Sequence, residues 1–224
     1  MTDSRIISAI DIGSSKITTL IGQVSVNADS GDTSVNIVGV ATSESKGVRK
    51  GQIVDIEEAV ETVVSSVEAA ERMAGYNLGK AYVSVGGAHI NSLNSRGVVA
   101  ISNPDSEITA GDISRVIEAA KAVSLPTSRE VIHVIPREYT VDGEGGVKDP
   151  VGMTGVRLEV ETHLVSASSP AIKNLVKTIG EVGVEVEEIV FSGLAAAESV
   201  LTDTEKELGC ALIDIGGGTT SVAV

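Results

Sequence analysis

Two ten-residue stretches of this sequence have the make-up of an anion-binding turn. The first runs Ala9-Ile10-Asp11-Ile12-Gly13-Ser14-Ser15-Lys16-Ile17-Thr18, the second Leu212-Ile213-Asp214-Ile215-Gly216-Gly217-Gly218-Thr219-Thr220-Ser221. In each, an apolar strand carries an aspartate near its end. The glycine that follows permits a tight turn and leaves the backbone open to a ligand. Small hydroxyl residues and further glycines then expose successive N–H groups, as in an anion nest. A carboxylate beside phosphates repels them unless a cation stands between. Mg2+ suits that place, because it keeps much of its water and is held by one or two carboxylates together with phosphate oxygens. The aspartates lie 203 residues apart, far beyond the roughly 20–50-residue period of a solenoid. Either copy alone also reads as an ordinary hairpin turn. The pair favours two similar lobes gripping one polyphosphate.

Two other phosphate-binding patterns are excluded. Neither copy shows G-x-G-x-x-G opening a helix, and β-branched residues follow both, against a Rossmann turn. No Gly-Lys-Ser/Thr ends a glycine-rich loop, against a Walker-type loop. Composition narrows the field further. With 31 acidic against 17 basic residues the chain carries a net charge of −14. That disfavours nucleic-acid binding, which rests on lysine and arginine neutralising phosphates, and it disfavours adsorption to anionic lipid. A single cysteine, Cys210, allows no internal disulfide and fits a reducing compartment. The N-terminal MTDSRIISAIDIG lacks the apolar stretch of a signal peptide, and no window holds the ~20 apolar residues of a membrane helix. The expectation is a cytosolic, folded, aliphatic α/β protein.

The elements that must position the two turns follow from periodicity. Ile6–Ile10 and Ile17–Gln23 flank the first turn as strands, and Val35–Thr42 makes a third after polar punctuation at 27–33. A helix starts at Asp55 with Glu58 as capping-box partner, buries Ile56, Ala59, Val60, Val63, Val64, Val67, Ala70 and Ala74, and ends at Gly75. Glu57, Glu58, Glu61, Glu68 and Glu71 form its solvated face. Next come strands Ala81–Gly87 and Gly97–Ser102, helix Thr109–Val123, and strands Glu130–Val141 and Val156–Ser166, with a glycine-rich connection over 143–155. This block has its own strands and helix, as a small inserted α+β domain would. Ser169-Pro170 opens a helix that Gly180 ends. Glu185–Phe191, Leu194–Leu201 and Ala211–Ile215 then read strand, helix, strand, and a last strand covers Thr220–Val224. His89, His133 and His163 read as ordinary strand histidines, Cys210 as a small buried hydrophobe, and Asn103–Glu107 as a plain turn.

The two hairpins resemble the phosphate-1 and phosphate-2 motifs of the actin, Hsp70 and sugar-kinase ATPase superfamily. Within it the chain resembles the FtsA family of bacterial cell-division proteins. The resemblance rests on Ile7–Gly22, Gly51–Gly75 (GQIVDIEEAVETVVSSVEAAERMAG), Ala81–Ile90, Val190–Leu201 and Leu208–Val224. It runs over nearly the whole chain and about the first half of the family's protein. It implies an α/β fold: an actin-like ATPase (ribonuclease H-like) lobe with an inserted small α+β (SHS2-type) subdomain, and a second lobe truncated. Residues 1–81 and 167–203 would form subdomain 1A, 82–166 the SHS2-like subdomain 1C, and 204–224 the start of lobe 2A.

By the same resemblance, ATP and Mg2+ are the ligands. Asp11 and Asp214 match the positions that hold Mg2+ through water. Gly13, Ser14, Ser15 and Lys16 match the first phosphate loop, and Gly216, Gly217, Gly218 and Thr219 the second. Lys16 is either a phosphate contact or a solvated turn lysine, the first being favoured. Ser192-Gly193-Leu194-Ala195-Ala196-Ala197 falls where Hsp70-like members carry a Glu-Pro-x-Ala-Ala stretch, so Ser192 replaces a carboxylate and at most slow ATP hydrolysis is expected. The family's full-length protein polymerises into actin-like filaments, docks FtsZ through its second lobe, meets other division proteins through the inserted subdomain, and attaches to the inner face of the cytoplasmic membrane at the division site through a C-terminal amphipathic helix. None of those later parts occurs by Val224, and a fragment is expected. The rivals are an actin-superfamily small-molecule kinase, a pilus-assembly scaffold of the same superfamily, and an interaction module built on the inserted block alone.

Overall fold

A computed structural model of the chain describes residues 4–26, 33–102, 105 and 107–224. The polar punctuation at 27–32 and most of the expected turn over 103–107 lie outside the described residues. The chain divides into two compact units, one comprising the chain up to His89 together with Pro170–Val224, the other Ile90–Ser169.

The first unit begins with β1 (Ser4–Ile12), β2 (Lys16–Val26) and β3 (Thr33–Glu44), then a small hairpin of β4 (Val48–Arg49) and β5 (Gln52–Ile53), helix α1 (Ile56–Ala74) and β6 (Lys80–Val85). The second unit holds β7 (Asn91–Ala100), α2 (Ala110–Lys121), β8 (Arg129–Val141), β9 (Glu144–Val147) and β10 (Arg157–Ser168). The first unit resumes with α3 (Ser169–Glu181), β11 (Glu185–Phe191), α4 (Ser192–Val200), α5 (Asp203–Leu208), β12 (Leu212–Ile215) and β13 (Thr220–Ala223).

Five strands of the first unit form a sheet in the order β11-β6-β1-β2-β3. β1, β2 and β3 pair antiparallel, while β6 runs parallel to both β1 and β11. The strand bearing Asp11 is therefore central. α1 lies on β2 and β3, burying Ala59, Val63, Val67 and Ala70 against Ile17 and Ile21. The polar atoms trapped there are satisfied, since the Thr19 and Ser66 hydroxyls bond at 2.9 Å and Ser66 also reaches the Ala41 carbonyl.

The Asp55 side chain accepts from the Glu58 N–H, but the return bond of the expected capping box is not made. The Asp55 N–H instead donates to the Gly47 carbonyl at 3.1 Å, which ties the helix start to the β4–β5 hairpin. Gly75 closes the helix in the left-handed region, φ 71°. Glu57, Glu58, Glu61 and Glu68 are exposed as expected. Glu71 is half-buried, because its carboxylate takes the Leu78 N–H at 2.5 Å.

The second unit is a four-stranded antiparallel sheet, β7-β10-β8-β9, with α2 on one face. Its core joins Val116 and Ala120 of α2 to Tyr139, Val141, Leu158, Val160, Ile101 and Ile108. The glycine-rich connection hides a strand: Asp142 and Gly143, at φ 49° and 95°, turn the chain back into β9. That Asp-Gly pair is the residue preference of a tight hairpin turn.

Helix α2 starts with a full capping box between Thr109 and Asp112. The Thr109 hydroxyl, the Arg115 guanidinium and the Thr109 N–H hold the Asp112 carboxyl down, from an ordinary 3.8 to about 2. A carboxyl held lower in the folded state adds stability that is complete above its unfolded value and is lost as pH falls through the folded one. Asp112→Asn should therefore lower the melting temperature at neutral pH, and the gap from the parent should close between about pH 4 and about pH 2. Thermal melts across that range check it; a gap independent of pH would refute it.

Elsewhere α3 runs one residue past Gly180, and α4 begins at Ser192, two residues before Leu194. α5 stands where no helix was expected, started by a Thr202–Glu205 capping box. Cys210 is half-buried, not part of a core, because it leads into a two-stranded sheet whose Ile213 and Ile215 are 61% and 79% exposed. His89 is buried in a turn after β6, not in a strand. Among the described residues no helix is long and apolar enough to cross a membrane.

Candidate phosphate and metal site

The sequence echo is also an echo of register. In the first hairpin Asp11 stands opposite Thr18 and Ile12 opposite Ile17, and in the second Asp214 stands opposite Ser221 and Ile215 opposite Thr220. The same backbone bond closes both turns, Gly13 N–H to Lys16 carbonyl at 3.0 Å and Gly216 N–H to Thr219 carbonyl at 2.9 Å. β-pairing fixes which face each side chain takes, so each aspartate occupies the same place relative to its turn.

The two turns meet. A Cβ at Gly217 would lie 2.6 Å from the Ser15 Cβ, and one at Gly218 would lie 2.8 Å from the Ser14 Cβ and Oγ. Only glycines let the tips approach this closely. Among the described residues no acceptor takes the N–H groups of Ser14, Ser15, Gly217 or Gly218. The paired tips thus present open donors, which is what an anion requires. Asp11, Ser15, Lys16, Asp214, Gly216, Gly217 and Gly218 are exposed, and Gly13, Ser14 and Thr219 are half-buried.

Three neighbours join the turns, of which only Ser192 was named from the sequence. Ser84 pairs with Asp11 across the β1–β6 ladder, and its hydroxyl donates to Asp11 Oδ1. In the alternating run Lys80–Val85 it reads as one more outward polar residue. Ser192, at the start of α4, packs on Gly86, where a Cβ would lie 2.5 Å from its Oγ and 3.8 Å from that of Ser221. The third is the Lys50–Gly51 turn between β4 and β5, whose Gly51 N–H donates to Ser14 Oγ at 2.9 Å.

The donor set fits a magnesium nucleotide. Two exposed carboxylates, one oriented by a serine hydroxyl, meet the need for one or two carboxylates that bind Mg2+ through its water. The open N–H groups of the glycine tips have the chemistry a phosphate cradle requires. Among the described residues no group of three His, Cys, Asp or Glu side chains stands together as metal ligands.

Residues 87–166 match the model for the SHS2 domain inserted in FTSA. The chain is 42% identical over 220 residues to the cell division protein FtsA of Pseudomonas aeruginosa, covering 98% of this chain and 51% of that protein. Over the residues it spans, the chain is similar to FtsA proteins. The FtsA of Bacillus subtilis is likewise 42% identical over 224 residues, covering 100% of this chain and 50% of the relative. The chain thus spans about half the length of the curated FtsA relatives it matches. Among solved structures, a chain of a PilM-PilN type IV pilus biogenesis complex superposes with a TM-score of 0.62 at 13% identity, over 96% of this chain and 56% of that one. At that identity the likeness concerns the fold. The fold is α/β and actin-like, with the SHS2 domain of FtsA proteins, as the residues led us to expect.

Proposed function

We propose that this chain is the ATP-binding portion of an actin-like cell-division scaffold. The observation that carries the reading is the tip-to-tip meeting of two hairpins whose aspartates share one register. On this reading residues 13–16 and 216–219 hold the polyphosphate through backbone N–H groups. Asp11 and Asp214 face the metal's water shell, and the Ser84 hydroxyl fixes the Asp11 carboxylate. Bound Mg2+ supplies the positive charge that lets carboxylates and phosphates share the cleft. Ser192 offers no carboxylate to activate water. At most a slow ATPase is expected.

The expected boundary at 81/82 moves to 89/90, because β6 pairs with β1 and β11 in the first unit. On this reading the first unit corresponds to subdomain 1A with 204–224 as the opening of lobe 2A, and Ile90–Ser169 to the inserted 1C. The full-length protein would polymerise, dock FtsZ and other division proteins, and anchor the division ring to the inner face of the cytoplasmic membrane. Likeness to its FtsA relatives supports this part.

The test is calorimetric titration of the chain with Mg-ATP. Saturable binding, weaker than about 1 μM and lost in EDTA, is expected, because little of an adenosine pocket accompanies the phosphate contacts. A single-turnover hydrolysis rate matching sugar kinases would overturn the slow-ATPase reading. The fold likeness to the PilM-PilN chain favours one alternative, a pilus-assembly scaffold. Co-sedimentation of the full-length product with FtsZ on lipid vesicles supports the division role, and failure to co-sediment supports the pilus role.

A further inference from the structure

The β4–β5 hairpin approaches the phosphate tips more closely than a passing loop would. Lys50 and Gly51 turn it at φ 51° and 72°. Asparagine, aspartate or glycine is the usual choice at such a position, so a lysine there is unexpected. The turn is locked on three sides. Gly51 N–H donates to Ser14 Oγ at 2.9 Å. A Cβ on Gly218 would lie 3.4 Å from the Lys50 backbone nitrogen, and one on Gly87 2.6 Å from the Lys50 carbonyl oxygen. The same turn therefore touches the first tip, the second tip and the loop after β6.

Charge makes this approach informative. In a chain of net charge −14, most basic side chains are neutralised. Arg5 and Lys80 pair with Glu187, Arg96 and Arg157 with Glu159, and Arg115 with Asp112. Lys46, Arg49 and Lys50 are exposed, and no carboxylate among the described residues pairs with them. Segment 46–50 is anchored to the first tip at both ends, by Ser45 N–H on the Ser15 carbonyl at 3.0 Å and by Gly51 on Ser14. A run of uncompensated cations held at a cleft of open N–H donors is suited to an anion of high charge.

We propose that the Lys50–Gly51 turn is a third wall of the phosphate cleft, with Lys50 contacting the terminal phosphate of a nucleoside triphosphate. The chain would then distinguish triphosphate from diphosphate through this turn. The inference rests on the reading of the two tips as a polyphosphate site.

Lys50→Asn tests it, because asparagine tolerates positive φ while removing the charge. Calorimetric titrations of the chain with Mg-ATP and Mg-ADP should show Lys50→Asn weakening ATP about tenfold, as loss of a charged hydrogen bond implies, and ADP less than about twofold. Lys50→Arg should restore the preference for ATP, Lys148→Asn in the other unit should change neither, and the melting temperature of Lys50→Asn should not fall. Equal losses for both nucleotides, or unchanged ATP binding, overturn the inference and leave the two-tip reading standing. If the parent chain binds neither nucleotide, the two-tip reading fails and the third wall with it.

Discussion

Asp11→Asn is expected to weaken Mg-ATP binding about a hundredfold, with little change in melting temperature. Asparagine has the size of aspartate, and its side-chain oxygen can still accept the Ser84 hydroxyl, so the β1–β6 pairing that positions residue 11 is kept. What disappears is the charge. A magnesium ion held by one or two carboxylates loses half or more of the protein's contribution when one is neutralised, and charged hydrogen bonds of roughly 1.5–3 kcal/mol each correspond to about ten- to hundredfold in affinity. Asp214→Asn should behave alike, since Asp214 holds the same register in its hairpin. The measurement is titration with and without Mg2+: parent and variants should converge in EDTA. A variant that binds Mg-ATP like the parent would remove Asp11 from the metal site.

Gly97→Val should unfold the SHS2 unit before the rest of the chain. Gly97 is where α2 comes down onto β7. A Cβ there would overlap the Val116 carbonyl oxygen and lie 2.7 Å from the Ala120 nitrogen and 3.0 Å from its Cβ. The helix backbone cannot yield without parting Val116 and Ala120 from Leu158 and Val160. The Ser95 hydroxyl would also lose the Ala120 carbonyl, which it holds at 2.6 Å. Overpacking of this kind costs about 3 kcal/mol or more. Amide exchange should show the loss within residues 90–169 while the β1–β2 ladder stays protected. A valine variant within about 1 kcal/mol of the parent would show that the approach is looser than described.

Features set by local chemistry were legible in the sequence. The first hairpin, α1 with Asp55 and Gly75 at its ends, and α2 with Thr109 and Asp112 at its start all rest on contacts within a few residues. The β4–β5 hairpin was not legible, since two-residue strands show no alternation to detect. β9 was concealed by Gly143, Gly145 and Gly146, although Asp142-Gly143 was a usable turn signal. The Thr202-x-x-Glu205 box that starts α5 was another signal passed over. Of the site, the two aspartates and both glycine turns could be named from their repeat. Ser84, Gly86 and Lys50 could not, because they join the site only when separate strands bring them to one end of the sheet. Cys210 misled for the opposite reason, as its apolar setting in sequence says nothing about how many layers cover it.

The matched register of the two hairpins has a consequence for how such a chain can vary. Inserting or deleting one residue between Asp11 and Thr18, or between Asp214 and Ser221, would change either the turn closed at Gly13 or Gly216 or the pairing that gives both aspartates the same place. A change of residue type at a flanking apolar position only alters packing. Spacing within these two eight-residue windows is therefore less free to drift than the letters that fill it.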